Sequence, residues 1–474
     1  MTFPFWFVFS IHFRRMLASR STLAVLLLGL ASTSALSAQD GSPDRQLVSA
    51  SDPRAFFPEH YFPGLEPLLR ESVTQSPNAV FQQARMEETE GQIERAETQY
   101  HWQVNAYGRY VGGYEMREDI DNGVRQLVYT NVIGRRPLYH WGKLDARKDQ
   151  AEAQRALASA DVGLALQDHL LQVREVYLRA LAAKERVQLA DNSLEIARKA
   201  LDGYERLYDA GQVSEAQFLE LQIQYQEAEE LQVSARREYA YRMNQLKQLV
   251  GREDVEAQVQ ATDFPEIELW SQETIEEWGE RIRSGELLGD LTEQRYDAMR
   301  ETEEKNIYIA KRTYLPDVNL EVGLNNDRLE DINSDDNVMR TYAYGGVSID
   351  WTIWDGWRAK ADERIARAKL RRLEMEERLK RRQNANQIDS LVEELNFNRM
   401  QIDSRQRRAD LLQRQLQLAD ELGDRSEMTS LDRLRTQLNY ERQLQDVRDL
   451  RINYLLNLAK LGLLAFNDPI LPES

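Results

Sequence analysis

Between Trp141 and Leu249 the chain carries no proline, and apolar positions recur at helical spacing on both sides of one short turn. Val187, Ala190, Leu194, Ala197, Leu201, Tyr204 and Tyr208 step by alternating threes and fours, the seam of a helix packed lengthwise against others. The turn reads Leu207-Tyr208-Asp209-Ala210-Gly211-Gln212-Val213-Ser214. From Trp141 to Gly211 a continuous helix would run roughly 105 Å, long enough to cross a periplasm. A generic coiled-coil scaffold shares this pattern, so the flanking elements decide what the hairpin means.

Upstream, residues 39–75 are rich in Pro, Ser and Asp and read as an extended segment with little regular structure. A helix starts at Ser76-Pro77-Asn78, with Ser as cap and Pro at the first helical position, and continues to about Tyr100. From Trp102 the period changes to two. Val104, Ala106, Tyr110 and Tyr114 point one way and Tyr107 and Val111 the other, as in a strand. A polar loop, Met116 to Gly123, separates it from a second strand over about Arg125–Pro137. Residues 251–286 form an acidic linker module, after which the plan recurs. A helix over about 287–313 leads to a strand in which Val318, Leu320, Val322 and Leu324 alternate with polar residues. An acidic loop over about 325–339 precedes a fourth strand. There Tyr342 and Tyr344 share one parity and Val347, Ile349, Trp351 and Ile353 the other, which predicts a bulge at Gly345-Gly346. A second proline-free hairpin, about 358–465, follows, and 467–474 form a tail.

Subtraction exposes an internal duplication. An offset of 214 pairs Ala84 with Ala298, Ile93 with Ile307, Ala96 with Ala310, Tyr100 with Tyr314 and Val104 with Val318. Past the strand loops the offset becomes 215, pairing Ala146 with Ala361, Leu201 with Leu416, Gln222 with Gln437, Tyr225 with Tyr440 and Tyr239 with Tyr454. Matched tyrosines in phase with the strands make chance a poor explanation. The repeats, 76–250 and 287–466, each contain a helix, two strands and a long helical hairpin.

Composition then narrows the setting. The chain of 474 residues has no cysteine, which excludes structural disulfides, thiolate metal sites and a lipidated N-terminal cysteine. A net charge of −18 without a basic aromatic stripe excludes nucleic acid as the expected partner. Residues 1–38 have the form of a signal peptide, with Arg20 before the apolar run Leu23–Ala31 and small residues through Ala38; translation could start at Met16. Beyond them no apolar stretch is long enough for a helical span, so any membrane crossing must use strands. Aromatics cluster near the strand ends: Trp102, Tyr114, Tyr139 and Trp141, then Tyr314, Trp351, Trp354 and Trp357. They suit an interfacial girdle. Four strands are too few to close a barrel, so the barrel must be shared between chains. The five histidines lack metal-ligand spacing, and no phosphate loop, nucleophile elbow or carboxylate pair stands out; no catalysis, cofactor or metal is expected.

The two halves resemble those of the TolC-like outer-membrane efflux proteins over nearly all of residues 76–465. That family shows a Pro-Leu-aromatic-Asp-Gly-Gly-like passage from strand into long helix, and this chain has Pro137-Leu138-Tyr139-His140-Trp141-Gly142 and Thr352-Ile353-Trp354-Asp355-Gly356-Trp357. It also shows a Tyr-x-x-Gly-x-x-Ser turn, matched by Tyr208 to Ser214. The resemblance implies a mainly α fold with a small β part, trimerising into a 12-stranded outer-membrane barrel continuous with a 12-helix periplasmic α-barrel. It implies a passive exit duct of a tripartite efflux or type I secretion system, without enzymatic activity. Its partners would be a periplasmic adaptor, an inner-membrane transporter and outer-membrane lipid. The hairpin tips Gly211, Gln212, Val213 and Ser214, with Asp424, Arg425 and Ser426, would contact the adaptor. The family places acidic residues at the periplasmic mouth; here the two positions are Asp432 and Arg435, giving mixed rings. At the second tip the family glycine falls on Ser426, with Gly423 nearby. The alternative is a soluble periplasmic coiled-coil adaptor or scaffold, whose strands and aromatics would form an ordinary core.

Overall fold

The computed structural model describes residues 53–117, 120–285, 290–330, 337–422 and 430–471, all within one unit that begins at Val48. The signal segment 1–38 and the second tip residues Asp424, Arg425 and Ser426 lie outside the described residues.

The N-terminal segment is not extended where it is described. Two 3-10 turns, Pro53–Phe56 and Pro58–His60, lead to α1 (Leu65–Gln75). The prolines fall in turns and first helical turns, where a missing N–H costs nothing. Phe62, Leu65, Leu68 and Leu69 are fully buried against the middle of the long helices, which supplies the energy for folding this stretch. Next, α2 (Pro77–Thr98) starts with the Ser76 hydroxyl accepting from the Ala79 N–H at 3.1 Å.

Four antiparallel strands follow in two hairpins: β1 (Gln103–Arg117), β2 (Ile120–Tyr139), β3 (Asp317–Glu330) and β4 (Asn337–Asp350), in spatial order β1-β2-β3-β4. They extend into both expected polar loops, because a polar residue is no strand breaker where the backbone ladder continues. The ladder between β3 and β4 runs unbroken from Asp317↔Asp350 to Glu330↔Asn337, so the bulge expected at Gly345-Gly346 is absent. Tyr342 and Tyr344 lie on the polar face by plain alternation, their hydroxyls bonded to Asn325 (2.8 Å) and Glu321 (3.0 Å). Register shifts occur at Glu115/Arg117 and Pro137/Tyr139. The last strand stops before Trp351 and Ile353.

Each strand pair feeds a long hairpin: α3 (Lys143–Asp209) with α4 (Glu215–Val250), and α8 (Arg358–Leu422) with α9 (Ser430–Ala465). Between the repeats lie α5 (Glu256–Ala261) and α6 (Gln272–Arg283), and α7 (Asp290–Arg312) opens the second repeat as α2 opens the first. At 67 residues, α3 spans about 100 Å. Near the sheet the helices pack in the order α2-α3-α7-α8; toward the tips the order is α4-α3-α9-α8. Two apolar clusters sit where these layers meet, one built on Leu170, Tyr177 and Leu181, the other on Phe56, Trp278, Leu395 and Tyr454.

Candidate functional site

The sheet inverts the pattern of a soluble protein. Alternation with the observed register places Val104, Tyr110, Val132, Leu324, Val347 and Ile349 on one face, and there they are exposed, Val104 to 68% and Ile349 to 65%. The opposite face carries Asn131, Arg135, Asn319, Glu321, Asn325 and Tyr344, of which Asn319 and Asn325 are buried at 5% and 6%. Its side chains bond one another: Arg135 to Glu321 at 3.0 Å, Asn319 to Asp350 at 3.0 Å. A sheet that hides asparagine and shows valine is built for an apolar surrounding on one side and water on the other. The outer edges of β1 and β4 pair with no strand among the described residues, and lipid tolerates no open edge.

All eight strand-end aromatics are exposed, from Trp141 at 37% to Trp354 at 66%. Two are tied down by their indole N–H groups, Trp141 to the Pro316 carbonyl (2.7 Å) and Trp351 to the Tyr314 carbonyl (3.0 Å).

Strand passes into long helix through two consecutive left-handed residues in each repeat: Trp141 (φ 58°) and Gly142 (φ 73°), then Gly356 (φ 67°) and Trp357 (φ 69°). The 215 offset aligns Trp141 with Gly356 and Gly142 with Trp357, so each repeat holds one tryptophan where the backbone favours glycine, at opposite places. In the second turn Asp355 caps the helix, accepting from the N–H groups of Trp357 (2.9 Å) and Ala359 (2.8 Å). Its equivalent His140 turns to β3, with Nε2 2.9 Å from Asn319 and Nδ1 3.2 Å from Asp317. Lys143 completes this corner, 2.5 Å from Asp317, beside a cleft of about 350 Å³ lined by Gln103, Arg135, Arg147 and Asp350.

The first tip is a Schellman turn. The Gln212 N–H donates to the Leu207 carbonyl (2.8 Å) and the Gly211 N–H to Tyr208 (2.9 Å), with Gly211 at φ 69°. Ser214 and Gln217 form a reciprocal capping box for α4, and Tyr208 stacks on Phe218 across the turn at 5.0 Å. Gly211, Gln212 and Ser214 are exposed and Val213 is half-buried.

At the start of α9, Asp432 and Arg435 come within 3.9 Å, and both are exposed. Arg435 also pairs with Glu220 of α4. Glu220 is the repeat equivalent of Arg435, so the 215 offset carried the signal for this residue, which reading along one helix missed. Higher up, Arg186 of α3 bridges Glu238 of α4 (2.8 Å) and Asp449 of α9.

The midpoint holds a group that no motif announced. Arg174 is fully buried, donating to Glu59 (2.6 and 2.9 Å) and Asp468, with its guanidinium 4.8 Å over the Phe57 ring. Burial opposes its charge, but the bonds to Asp468 and Glu59 more than offset this and raise its pKa above the ordinary value. It clasps the N-terminal segment and the C-terminal tail onto α3.

Among the described residues no cluster of His, Cys, Asp or Glu is suited to a metal, and no helix is long and apolar enough to cross a membrane. What the fold defines is a four-stranded sheet with one apolar and one polar face, carried on two long helical hairpins. Residues 68–252 match the family model described as outer membrane efflux protein. The fold is similar to VceC from Vibrio cholerae, at 16% identity and a TM-score of 0.64, covering 87% of this chain and 99% of that one. It is similar to the CmeC outer membrane channel of Campylobacter jejuni (13% identity, TM-score 0.67, 94% and 95% covered). The open state of the MtrE outer membrane channel of Neisseria gonorrhoeae gives 14% identity, a TM-score of 0.64 and coverage of 91% and 99%. No curated protein matches the chain in sequence. Over residues 68–252 the chain is similar to the outer membrane efflux protein family, and over most of its length it shares the fold of these outer membrane channels.

Proposed function

We propose that the chain works as a homotrimeric exit duct, with three sheets closing a 12-stranded barrel in the outer membrane and three pairs of hairpins forming a periplasmic tunnel. The observation that carries this is the inverted sheet, with exposed valines and isoleucine on one face, bonded polar side chains on the other and two open edges. A soluble adaptor would bury that apolar face. The duct is a passive conduit for a tripartite efflux or type I secretion system, with no catalysis of its own. A periplasmic adaptor engages the tips, Gly211 to Ser214 and Asp424 to Ser426, and an inner-membrane transporter supplies the energy. The mouth is set by Asp432 and Arg435, joined by Glu220, and the eight aromatics mark the membrane boundaries. The domain plan is a signal peptide, a clasped N-terminal segment, two repeats joined by an equatorial module, and a short tail.

The test is fractionation of the full chain followed by planar-bilayer recording. Recovery from outer membranes as a trimer with channel conductance is expected. A soluble monomeric product would overturn the reading.

A further inference from the structure

Two helix faces that lack a neighbour among the described residues carry opposite charge. Near the sheet the packing order ends with α2 on one side and α8 on the other. The face of α2 turned away from α3 holds Ala84 and Gly91, flanked by exposed Glu87, Glu88 and Glu94. The face of α8 turned away from α7 holds Ala368 and Met375, flanked by exposed Arg364, Arg371 and Arg378. None of Glu88, Glu94, Arg364, Arg371 or Arg378 forms an ion pair with another described residue. Arg364, Arg371 and Arg378 recur every seven residues, two turns apart, and so share one face of α8.

The duplication supplies the geometry by which they meet. Inside the chain, α3 packs on α7, with Asp149 on Lys305 (2.6 Å) and Asp161 on Arg295 (2.6 Å). The 215 offset carries α3 onto α8, and the 214 offset carries α7 onto α2. The α3–α7 junction is thus the template for α8 against the α2 of a second copy. On that template Asp149 becomes Arg364, and Lys305 becomes Gly91. Arg364 then lies over Gly91, with Glu88 one turn to one side and Glu94 one turn to the other. A Cβ at Gly91 would meet nothing within 4 Å in this chain, so the glycine leaves room for a group from outside it. A glycine inside a helix is less favourable than alanine, and a seated guanidinium gives it a reason. One heptad further, Arg371 lies over Ala84 beside Glu87 and Glu88. The template's second acid, Asp161, stays acidic as Glu376, already held by Arg372 at 3.3 Å.

We propose that the subunits of the trimer are keyed by charge, the basic α8 edge of one copy seating on the acidic α2 edge of the next, with polarity reversed from the α3–α7 junction inside each chain. The partner is a second copy, and the inference rests on the trimeric reading above. Reversal gives specificity as well as attraction. A basic α8 edge is repelled by the α7 face that carries Lys305 and Arg295, so an incoming copy cannot compete for the junction inside the chain. Below the midpoint, exposed Phe397, Met400 and Leu411 on α8 continue the same edge as an apolar seam.

The absence of cysteine permits a background-free test. A chain carrying Glu88→Cys and Arg364→Cys should give a covalent trimer with a short thiol cross-linker, whereas each single variant should not. In parallel, Arg364→Glu/Arg371→Glu and Glu88→Arg/Glu94→Arg should each lower the temperature at which the trimer dissociates. The four-fold exchange should restore it, whereas mixing the two double variants should restore it only in part, because a ring of three keeps one like-charged seam. No covalent trimer from wild-type-like trimers, or loss that the exchange does not repair, overturns the charge key and leaves the duct standing. A wild-type chain that is no trimer overturns the duct itself.

Discussion

Replacing Arg174 by alanine tests whether the midpoint clasp holds the N-terminal segment in place. The side chain is wholly buried, Asp468 likewise, and Glu59 is 11% exposed. Arg174→Ala leaves two carboxylates facing each other without their shared cation, and removing one partner of a buried ionic group costs about 3–5 kcal/mol. The loss falls on local opening of the segment over the Phe57 ring, since the hairpins keep their own seams. At about 1.4 kcal/mol per decade, the open population rises by roughly two to three and a half orders of magnitude. Limited proteolysis of the solubilised protein reads this as a faster first cut within residues 53–75, located by mass spectrometry. A companion variant, Arg174→Met with Glu59→Leu and Asp468→Leu, removes the charges together and should be cut far more slowly than Arg174→Ala, because well-packed apolar replacement of a buried ionic group is often neutral or stabilising. Asp468 also accepts from the Ile470 N–H at 3.1 Å, so part of the tail's order is lost in that variant. The reasoning fails if Arg174→Ala raises the cutting rate less than tenfold, or if the triple variant is as exposed as the single one.

Three further expectations concern the turns, the mouth and acid. At the strand-to-helix turns, Trp357→Gly should melt higher than Trp357→Ala by the equivalent of about 1–2 kcal/mol, since both lose the indole but only glycine relieves the left-handed backbone; equal melting would show the turn unstrained. At the mouth, Arg435→Glu places a third acid beside Asp432 and Glu220 and should shift single-channel recordings toward cations; unchanged selectivity removes Arg435 from the constriction. His169 is buried, which lowers its pKa below the usual value against an opposing backbone hydrogen bond with Leu249, and its Nε2 finds no hydrogen-bond partner among the described residues. Its contribution is therefore present above the unfolded value of about 6.5 and is lost as pH falls toward the depressed folded value. Thermal midpoints of the wild type and His169→Gln at pH 7.5 and 5.5 should show a smaller acid loss in the variant.

The pattern of apolar positions alone delivered the repeats, the strands and both hairpins, because helical and strand periods differ and a constant offset leaves little freedom. Proline density misled in residues 53–75, where α1 forms because Leu65, Leu68 and Leu69 find a core supplied by helices far away in sequence. The bulge at Gly345-Gly346 was inferred from tyrosines assumed to be apolar; on a wet face a tyrosine behaves as a hydroxyl. Asp432 and Arg435 were legible at three-residue spacing, but Glu220 was not, since it reaches Arg435 across 215 residues.

What the sequence by itself determined is therefore local and periodic: which segments are helix or strand, that the plan occurs twice, and which face of each strand is apolar. Tertiary structure decided what depends on distance in space. It set Arg174 between Glu59 and Asp468, 115 and 294 residues away, and near the sheet it left α2 and α8 as the outer members of the packed row. Periodicity reports which side of an element prefers to be covered. Only the packed chain shows which sides remain uncovered, and among the described residues those are the apolar face of the sheet and the outer faces of α2 and α8.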